Sequence, residues 1–283
     1  MADTTASAPD LLVIGGSGLL GRALVTLASE RGVDVHATGL HDPSGPTGHW
    51  HRLDLADGGR AAAALIDRLR PAAVVNAAYV QTGDDLDAVT ARAPGAIAGA
   101  CAGRGLRLVH LSSDVVFDGR KPGPYVEADP PAPMHAYGDA KARAEALVAA
   151  AAPAASIVRT SLLWSLDGDG GPQVRLVRDP AVSFFTDEIR CPIRVDRLAA
   201  AILELLGRPE ITGLLHIAGA DAVDRLALAR ALAPQAGRTP DGIRGAPGDP
   251  DAARPRRLVL DSSLARSRLA APLPGIHADR PTT

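Results

Sequence analysis

Tyr137-Gly138-Asp139-Ala140-Lys141 sets a phenol and an ammonium one helical turn apart on the same face of a helix. That pair suits the reduction of a carbonyl. Hydride added to the carbon leaves an alkoxide, which must receive a proton. A free tyrosine, with a pKa of about 10, exchanges that proton poorly near neutrality. A neighbouring ammonium favours the phenolate and lowers the value. Ser113 stands 24 residues before Tyr137, in the run Leu111-Ser112-Ser113-Asp114. Its hydroxyl can bond the carbonyl oxygen and stabilise the charge formed there; the alternative is that it only satisfies backbone groups at a strand end. The chain holds 28 arginines but two lysines, three tyrosines and one asparagine, Asn76. With so few Tyr and Lys, a chance Tyr-x-x-x-Lys has odds of roughly 2 in 100.

A hydride donor is implied by Gly15-Gly16-Ser17-Gly18-Leu19-Leu20-Gly21, which follows an apolar run and opens a helical pattern. Glycines there allow a tight turn and close approach of a pyrophosphate, which rests on N–H groups at the helix start. The segment fits Gly-x-Gly-x-x-Gly and also Gly-x-x-Gly-x-x-Gly, and both point to a nicotinamide dinucleotide. Lys141 can also bond the nicotinamide ribose. Where NAD-selective folds place an acid at the end of the second strand, this chain reads Thr38-Gly39-Leu40-His41, with no carboxylate before Asp42. An uncharged position tolerates a 2′-phosphate, and His41 or Arg52 can add positive character. NADP(H) is therefore expected over NAD(H).

The elements that must position these groups alternate. Strands are predicted at residues 11–14, 33–38, 49–53, 73–76, 106–111 and 156–160, and helices at 19–29, 57–70, 84–102 and 134–152. Such alternation gives βαβ units and a parallel sheet. The fold class expected is α/β, a Rossmann-type doubly wound parallel sheet with a small C-terminal substrate-binding subdomain. Residues 1–165 form the dinucleotide-binding domain; 166–283 are mainly substrate-binding, with some elements returning to the Rossmann core. There, 168–172 reads as a turn-rich break, 195–206 and 224–232 as helices, 214–217 as a strand, and the tail after Ala271 as loose.

Composition sets the class limits. A 283-residue chain with 46% hydrophobic and 22% charged residues can bury a sizeable core. A net charge of −2 gives no field for nucleic acid or an anionic membrane. Cys101 and Cys191 match no metal or redox spacing, so no metal and no disulfide framework is expected, only buried thiols in a reduced compartment. The first ten residues lack a signal-peptide pattern, and the chain reads as cytoplasmic.

Taken together, Gly15 to Gly21, Val75-Asn76-Ala77-Ala78, the run from Ser112 through Phe117-Asp118-Gly119, Tyr137 to Lys141 and Arg159-Thr160-Ser161 resemble an extended short-chain dehydrogenase/reductase of the dTDP-4-dehydrorhamnose reductase branch. The likeness covers roughly residues 10–265, more faintly after 165. It implies a catalytic triad of Ser113, Tyr137 and Lys141. To the cofactor contacts expected from the residues themselves, Gly15, Gly18, Leu19, Leu20, Gly21 and His41, it adds Asp54 and Leu55 near the adenine and Ala77, Ala78 and Tyr79 along the cofactor. It implies a nucleotide-sugar substrate and is compatible with a homodimer. Related 4,6-dehydratases carry an Asp-Glu pair after the hydroxyl residue; here Val115 follows Asp114, which disfavours elimination.

The substrate side departs from the family pattern. Leu162 replaces a tryptophan, and Trp164, two residues on and on the same strand face, is a candidate to take over part of that surface; core packing is its other reading. Asp187-Glu188-Ile189-Arg190-Cys191-Pro192 has Glu for Gln and Arg for Gly, so Arg190 is a candidate phosphate or carboxylate fork, or else the partner of an ion pair. Arg92 stands where an asparagine is common. Asp114, Leu162, Trp164 and Arg190 are thus the candidate substrate residues. The chemistry expected is reduction of a 4-keto deoxy nucleotide sugar. A non-catalytic dinucleotide-binding regulatory subunit and an NAD-dependent epimerase are the alternatives.

Overall fold

The computed structural model describes residues 10–41, 49–166 and 170–279. Asp42, Gly168 and Asp169, which figure in the sequence reading, lie outside the described residues. The main sheet has seven strands. β1 (Leu11–Ile14), β2 (Val35–Gly39), β3 (His49–Arg52), β4 (Ala73–Asn76), β5 (Arg107–Ser113) and β6 (Ser156–Thr160) join a strand at Gly213–His216, which neighbours β6 at one edge. The order across the sheet from that edge is β6-β5-β4-β1-β2-β3. Register pairs of β2 and β4 with β1, of β3 with β2 and of β5 with β4 are all parallel. A strand covered on both faces reads as an unbroken apolar run, and every residue of β1 is buried. β2 and β4 leave β1 on opposite sides, so strand order reverses there, and the crevice at such a reversal is where open α/β sheets bind ligands.

The helices are α1 (Leu19–Glu30), α2 (Arg60–Leu69), α3 (Ala93–Ala102), α4 (Ala136–Ala151), α5 (Gly171–Arg178), α6 (Val195–Leu206), α7 (Arg225–Leu232) and α8 (Ser263–Arg268). α1 buries Leu20, Leu24 and Ala28, a 3.6-residue stripe. Asp57 accepts the N–H groups of Gly59 and Ala61 and so caps the approach to α2.

Three expectations are revised. The helix predicted over 84–102 is two pieces, a π-helical segment Leu86–Arg92 followed by α3. Pro94 has no N–H to give Thr90 an α-helical bond. The buried Thr90 hydroxyl accepts from the N–H of Val80 at 2.9 Å and donates to its carbonyl at 2.7 Å. The break predicted over 168–172 gives way to α5 by Gly171, because Pro172 suits a first helical turn and Val174 and Val177 bury one face. The tail is packed at least to Asp279: Leu273 and Ile276 are buried, and Asp279 accepts from Arg197 at 3.1 Å and pairs with Arg194 at 3.3 Å.

The chain forms two compact units, each made of separated stretches. One holds residues 1–111, 143–157 and 206–213; the other holds 112–142, 158–205 and 214–283. The second takes in the segment from Ser112 to Ala142 because its core needs it. Val116, Phe117 and Tyr125 pack with Cys191 and Leu258 to Leu260, so residues far apart in sequence share one interior. Burial pushes the Cys101 thiol up to about 12 and Cys191 up to about 11, and both are inert, small buried groups. Among the described residues, no helix is long and apolar enough to cross a membrane.

Candidate active site

In the first unit, the carboxyl ends of β1, β2 and β4 surround a cleft of about 240 Å³, walled by Gly15, Ser17, Gly18, Thr38, Leu40, Asp54 and Tyr79 among others. The loop after β1 fits a dinucleotide's phosphates sterically. Gly15 has φ +84°, and a Cβ on it would lie 2.7 Å from the Ala78 nitrogen. A Cβ on Gly21 would collide with the carbonyl of Gly15 and come 2.6 Å from Gly16 Cα. No side chain caps the start of α1 and no acid sits in its first turn, so its N–H groups face no competing anion.

Leu55, Ala77 and Ala78 also line this cleft, as expected for them and for Gly15, Gly18, Asp54 and Tyr79. Leu19, Leu20 and Gly21 do not line it; they follow Gly18 in α1, with Leu20 and Gly21 buried, and can contribute only backbone. His41 is exposed and absent from the wall, which at that point is Leu40.

Side chains to which the sequence reading gave no role in the site hold this cleft in shape. Thr38 Oγ1 accepts the N–H of Gly15 at 3.1 Å. Asn76 Oδ1 accepts the N–H of Ala78, and its Nδ2 meets His110 Nδ1 at 3.2 Å. Thr90 ties down the segment beside Tyr79 through Val80. Only Asn76 carried a signal, as the chain's one asparagine.

Ser113, Tyr137 and Lys141 all belong to the second unit. Ser113 is the last residue of β5 and caps a 3-10 turn, Asp114–Val116. Its Oγ donates to Asp114 Oδ1 at 3.2 Å and accepts the N–H of Val115 at 3.4 Å. Both contacts are long, so the hydroxyl is weakly held and can turn to a ligand. His135 Nδ1 accepts the N–H of Gly138 at 3.0 Å, which caps α4. Tyr137 is half-buried and Lys141 is buried.

Gly138 sets the spacing between the serine turn and α4. A Cβ there would collide with the carbonyl oxygen of Val115 and lie 3.0 Å from Pro133 Cβ. Gly138→Ala should therefore push the start of α4 away from the Ser113 turn. A displacement of about an ångström costs about 10²-fold in kcat. Steady-state kinetics beside an unchanged circular dichroism spectrum would check this.

Asp114 is buried and accepts from Ser161 Oγ at 2.7 Å, while Arg190 Nε lies 3.9 Å away. Burial raises its pKa, against the lowering pull of Arg190 and the two serines. Its carboxylate faces Ser113, whose Oγ donates to it, and Ser161.

Two candidate substrate residues have other work. Trp164 is 1% exposed and packs among Val174, Val177, Phe184 and Leu228, so core packing, its other reading, holds. Arg190, 5% exposed, donates to the carbonyls of Ile189 and Pro255 and pairs with Glu188 at 3.1 Å. Its fork is filled. The ion-pair reading of Arg190 thus holds, with Glu188 also meeting Arg254 at 3.4 Å. Leu162 is half-buried at the edge of the Trp164 cluster. Arg92 pairs with Asp87 on the surface. Phe117-Asp118-Gly119 is structural as well: Phe117 stacks on Tyr125, whose hydroxyl donates to Asp118 at 2.7 Å.

A family model described as the RmlD substrate binding domain matches residues 9–278. The chain is 33% identical over 287 residues to the probable low-salt glycan biosynthesis reductase of Haloferax volcanii, covering 94% of each chain. It is 34% identical over 278 residues to the probable dTDP-4,6-dihydroxy-2-methyloxan-3-one 4-ketoreductase of Streptomyces antibioticus, covering 93% of this chain and 90% of that one. Among solved structures, dTDP-4-dehydrorhamnose reductase from Bacillus anthracis in complex with NADP matches with TM-score 0.80 at 22% identity over 97% of each chain, a likeness of fold. The chain belongs to the RmlD substrate-binding-domain family, the sugar-nucleotide reductase branch of the short-chain dehydrogenases/reductases, and is an oxidoreductase of that class.

Proposed function

We propose that this protein is an NADP(H)-dependent reductase of a ketone, the 4-keto group of a deoxy nucleotide sugar. The observation that carries the reading is Gly138, whose close seat on Val115 holds the helix of Tyr137 and Lys141 against the turn of Ser113. A nicotinamide dinucleotide, when bound, supplies hydride to the carbonyl carbon. Ser113 releases its long bond to Asp114 and donates to the carbonyl oxygen. Tyr137 gives its phenolic proton to that oxygen as it becomes an alkoxide. Lys141, one turn along α4, stabilises the phenolate left behind. The glycine loop and the start of α1 hold the pyrophosphate through backbone N–H groups.

The preference for NADP(H) is supported by the β2 wall of the cleft, where Thr38, Gly39 and Leu40 bring no carboxylate. Asp54 and Asp85 are the carboxylates further along the wall, and Asp54 accepts the N–H of Ala56 within its own turn. Solved structures of like fold hold NADP or NAD, so the preference rests on the wall of the cleft. The substrate class rests on the activities named for relatives at 33–34% identity.

Absorbance at the reduced-nicotinamide band, followed over a panel of nucleotide-linked 4-keto sugars and simple ketones, tests the whole reading. Turnover is expected with a nucleotide-linked 4-keto sugar, at higher kcat/KM with NADPH than with NADH. A strong NADH preference would overturn the cofactor assignment. Turnover of simple ketones alone would overturn the substrate class.

A further inference from the structure

β2 and β3 carry a group of imidazoles that the proposed reaction does not use. His36 on β2 and His49 on β3 are register partners, with ring centroids 4.6 Å apart. His51 lies two residues along β3 from His49, on the same strand face, and its Nε2 meets His36 Nδ1 at 2.9 Å. Asp34 immediately precedes β2. One ligating atom from each of Asp34, His36 and His49 lies within 4.8 Å of the others. None of these residues lines the cofactor cleft. We propose that Asp34, His36 and His49, with His51 bonded behind His36, form a site for a divalent transition-metal ion of the zinc type.

Two imidazoles and a carboxylate are a donor set that suits zinc. Tetrahedral zinc, with bonds of about 2.0–2.1 Å, sets its ligand atoms about 3.3 Å apart. The three groups must therefore close by about an ångström or more from their present limit. Asp34 and His36 are half-buried and His49 is exposed, so side-chain rotation can provide that movement. His36 can bind an ion through Nε2 while its Nδ1–H donates to His51. Such a bond on the far nitrogen is how ligating histidines are usually oriented. The charged groups acting on these rings are Asp34, which favours a cation, and Arg68, which opposes one.

A sequence reading based on cysteine spacing expects no metal, and it passes over this set because His36 and His49 are 13 residues apart. An ion here would cross-link the edge strand β3 to β2. The fixed point would lie just before Leu53 and Asp54 of the cofactor cleft.

Untagged, chelator-treated protein titrated with Zn²⁺ alone, against Mg²⁺ at matched concentration, tests the site by calorimetry and thermal melting. The expected result is one Zn²⁺ taken up per chain with a rise in Tm, and no response to Mg²⁺. His49→Ala, at an exposed position, and Asp34→Asn should each weaken Zn²⁺ binding about tenfold or more. His51→Gln, which removes only the orienting partner, should weaken it less than His49→Ala. Absence of stoichiometric Zn²⁺ uptake, or equal affinity in wild type, His49→Ala and Asp34→Asn, would overturn the proposal. Neither readout depends on the reductase reaction.

Discussion

Tyr137→Phe should lower kcat by about 10³-fold or more, while the Kd for NADPH changes by no more than about twofold. The ring still fills the same half-buried place at the start of α4, beside His135 at a 6.3 Å centroid distance. What is lost is the only phenolic proton in the proposed triad. Lys141→Met should behave differently. It leaves the phenol but removes the charge expected to stabilise the phenolate, so residual reduction should persist, with its decline at high pH moved to higher pH. Rapid-mixing kinetics across pH, with cofactor binding followed by fluorescence, separates the two roles. Retained turnover in Tyr137→Phe would remove the tyrosine from the mechanism.

Gly21→Ala should weaken dinucleotide binding by about 100-fold and lower Tm by several degrees. The added methyl would meet only backbone, namely the Gly15 carbonyl and Gly16 Cα, and no flexible side chain can move aside. Overpacking of this kind costs about 1–3 kcal/mol, and the loop it displaces is the one expected to cradle the phosphates. Gly18→Ala makes the informative contrast. Gly18 has φ −72°, and a Cβ there would sit 3.4 Å from the Gly15 carbonyl. The fold should tolerate that change with Tm nearly unchanged. Gly18 still walls the cleft, so affinity for the cofactor should drop. Calorimetry with NADPH and thermal melts of both variants distinguish a glycine needed by the fold from one needed by the ligand.

The dinucleotide half was legible because local rules decide it. β1, β4 and β6 fall where the apolar runs predicted them, and Gly15 and Gly21 are required by contacts within one short loop. The second unit was less legible because its side chains answer to distant partners. Trp164 reads as a surface candidate until Val174, Val177 and Leu228 enclose it. Arg190 reads as an anion fork until the carbonyl of Pro255, 65 residues on, takes one of its donors. Its other reading, an ion pair with Glu188, is the one the structure bears out. Gly138 carried no signal at all, since the need for it comes from Val115, 23 residues earlier in the chain. The three histidines were missed for the same reason: strand pairing, not spacing along the chain, brings them together.

The role of Ser113 shows both limits at once. Its place at the end of β5 was readable from the run Leu111 to Asp114. Its Oγ accepts the N–H of Val115 at the strand end and donates to the Asp114 side chain, and both bonds are long. Asp114, a substrate candidate by sequence, is held by Ser161 and Arg190 and faces its serine neighbour.

The most direct measurement is isotopic. The protein would be incubated with NADPH deuterated at the transferable C4 position and a nucleotide-linked 4-keto-6-deoxy sugar, and the product read by mass spectrometry and NMR. The account predicts one deuterium at C4 of the sugar, one NADP⁺ formed per product, and no transfer in Tyr137→Phe. An unlabelled product formed without net NADPH oxidation, or a labelled product from Tyr137→Phe at the wild-type rate, would contradict it.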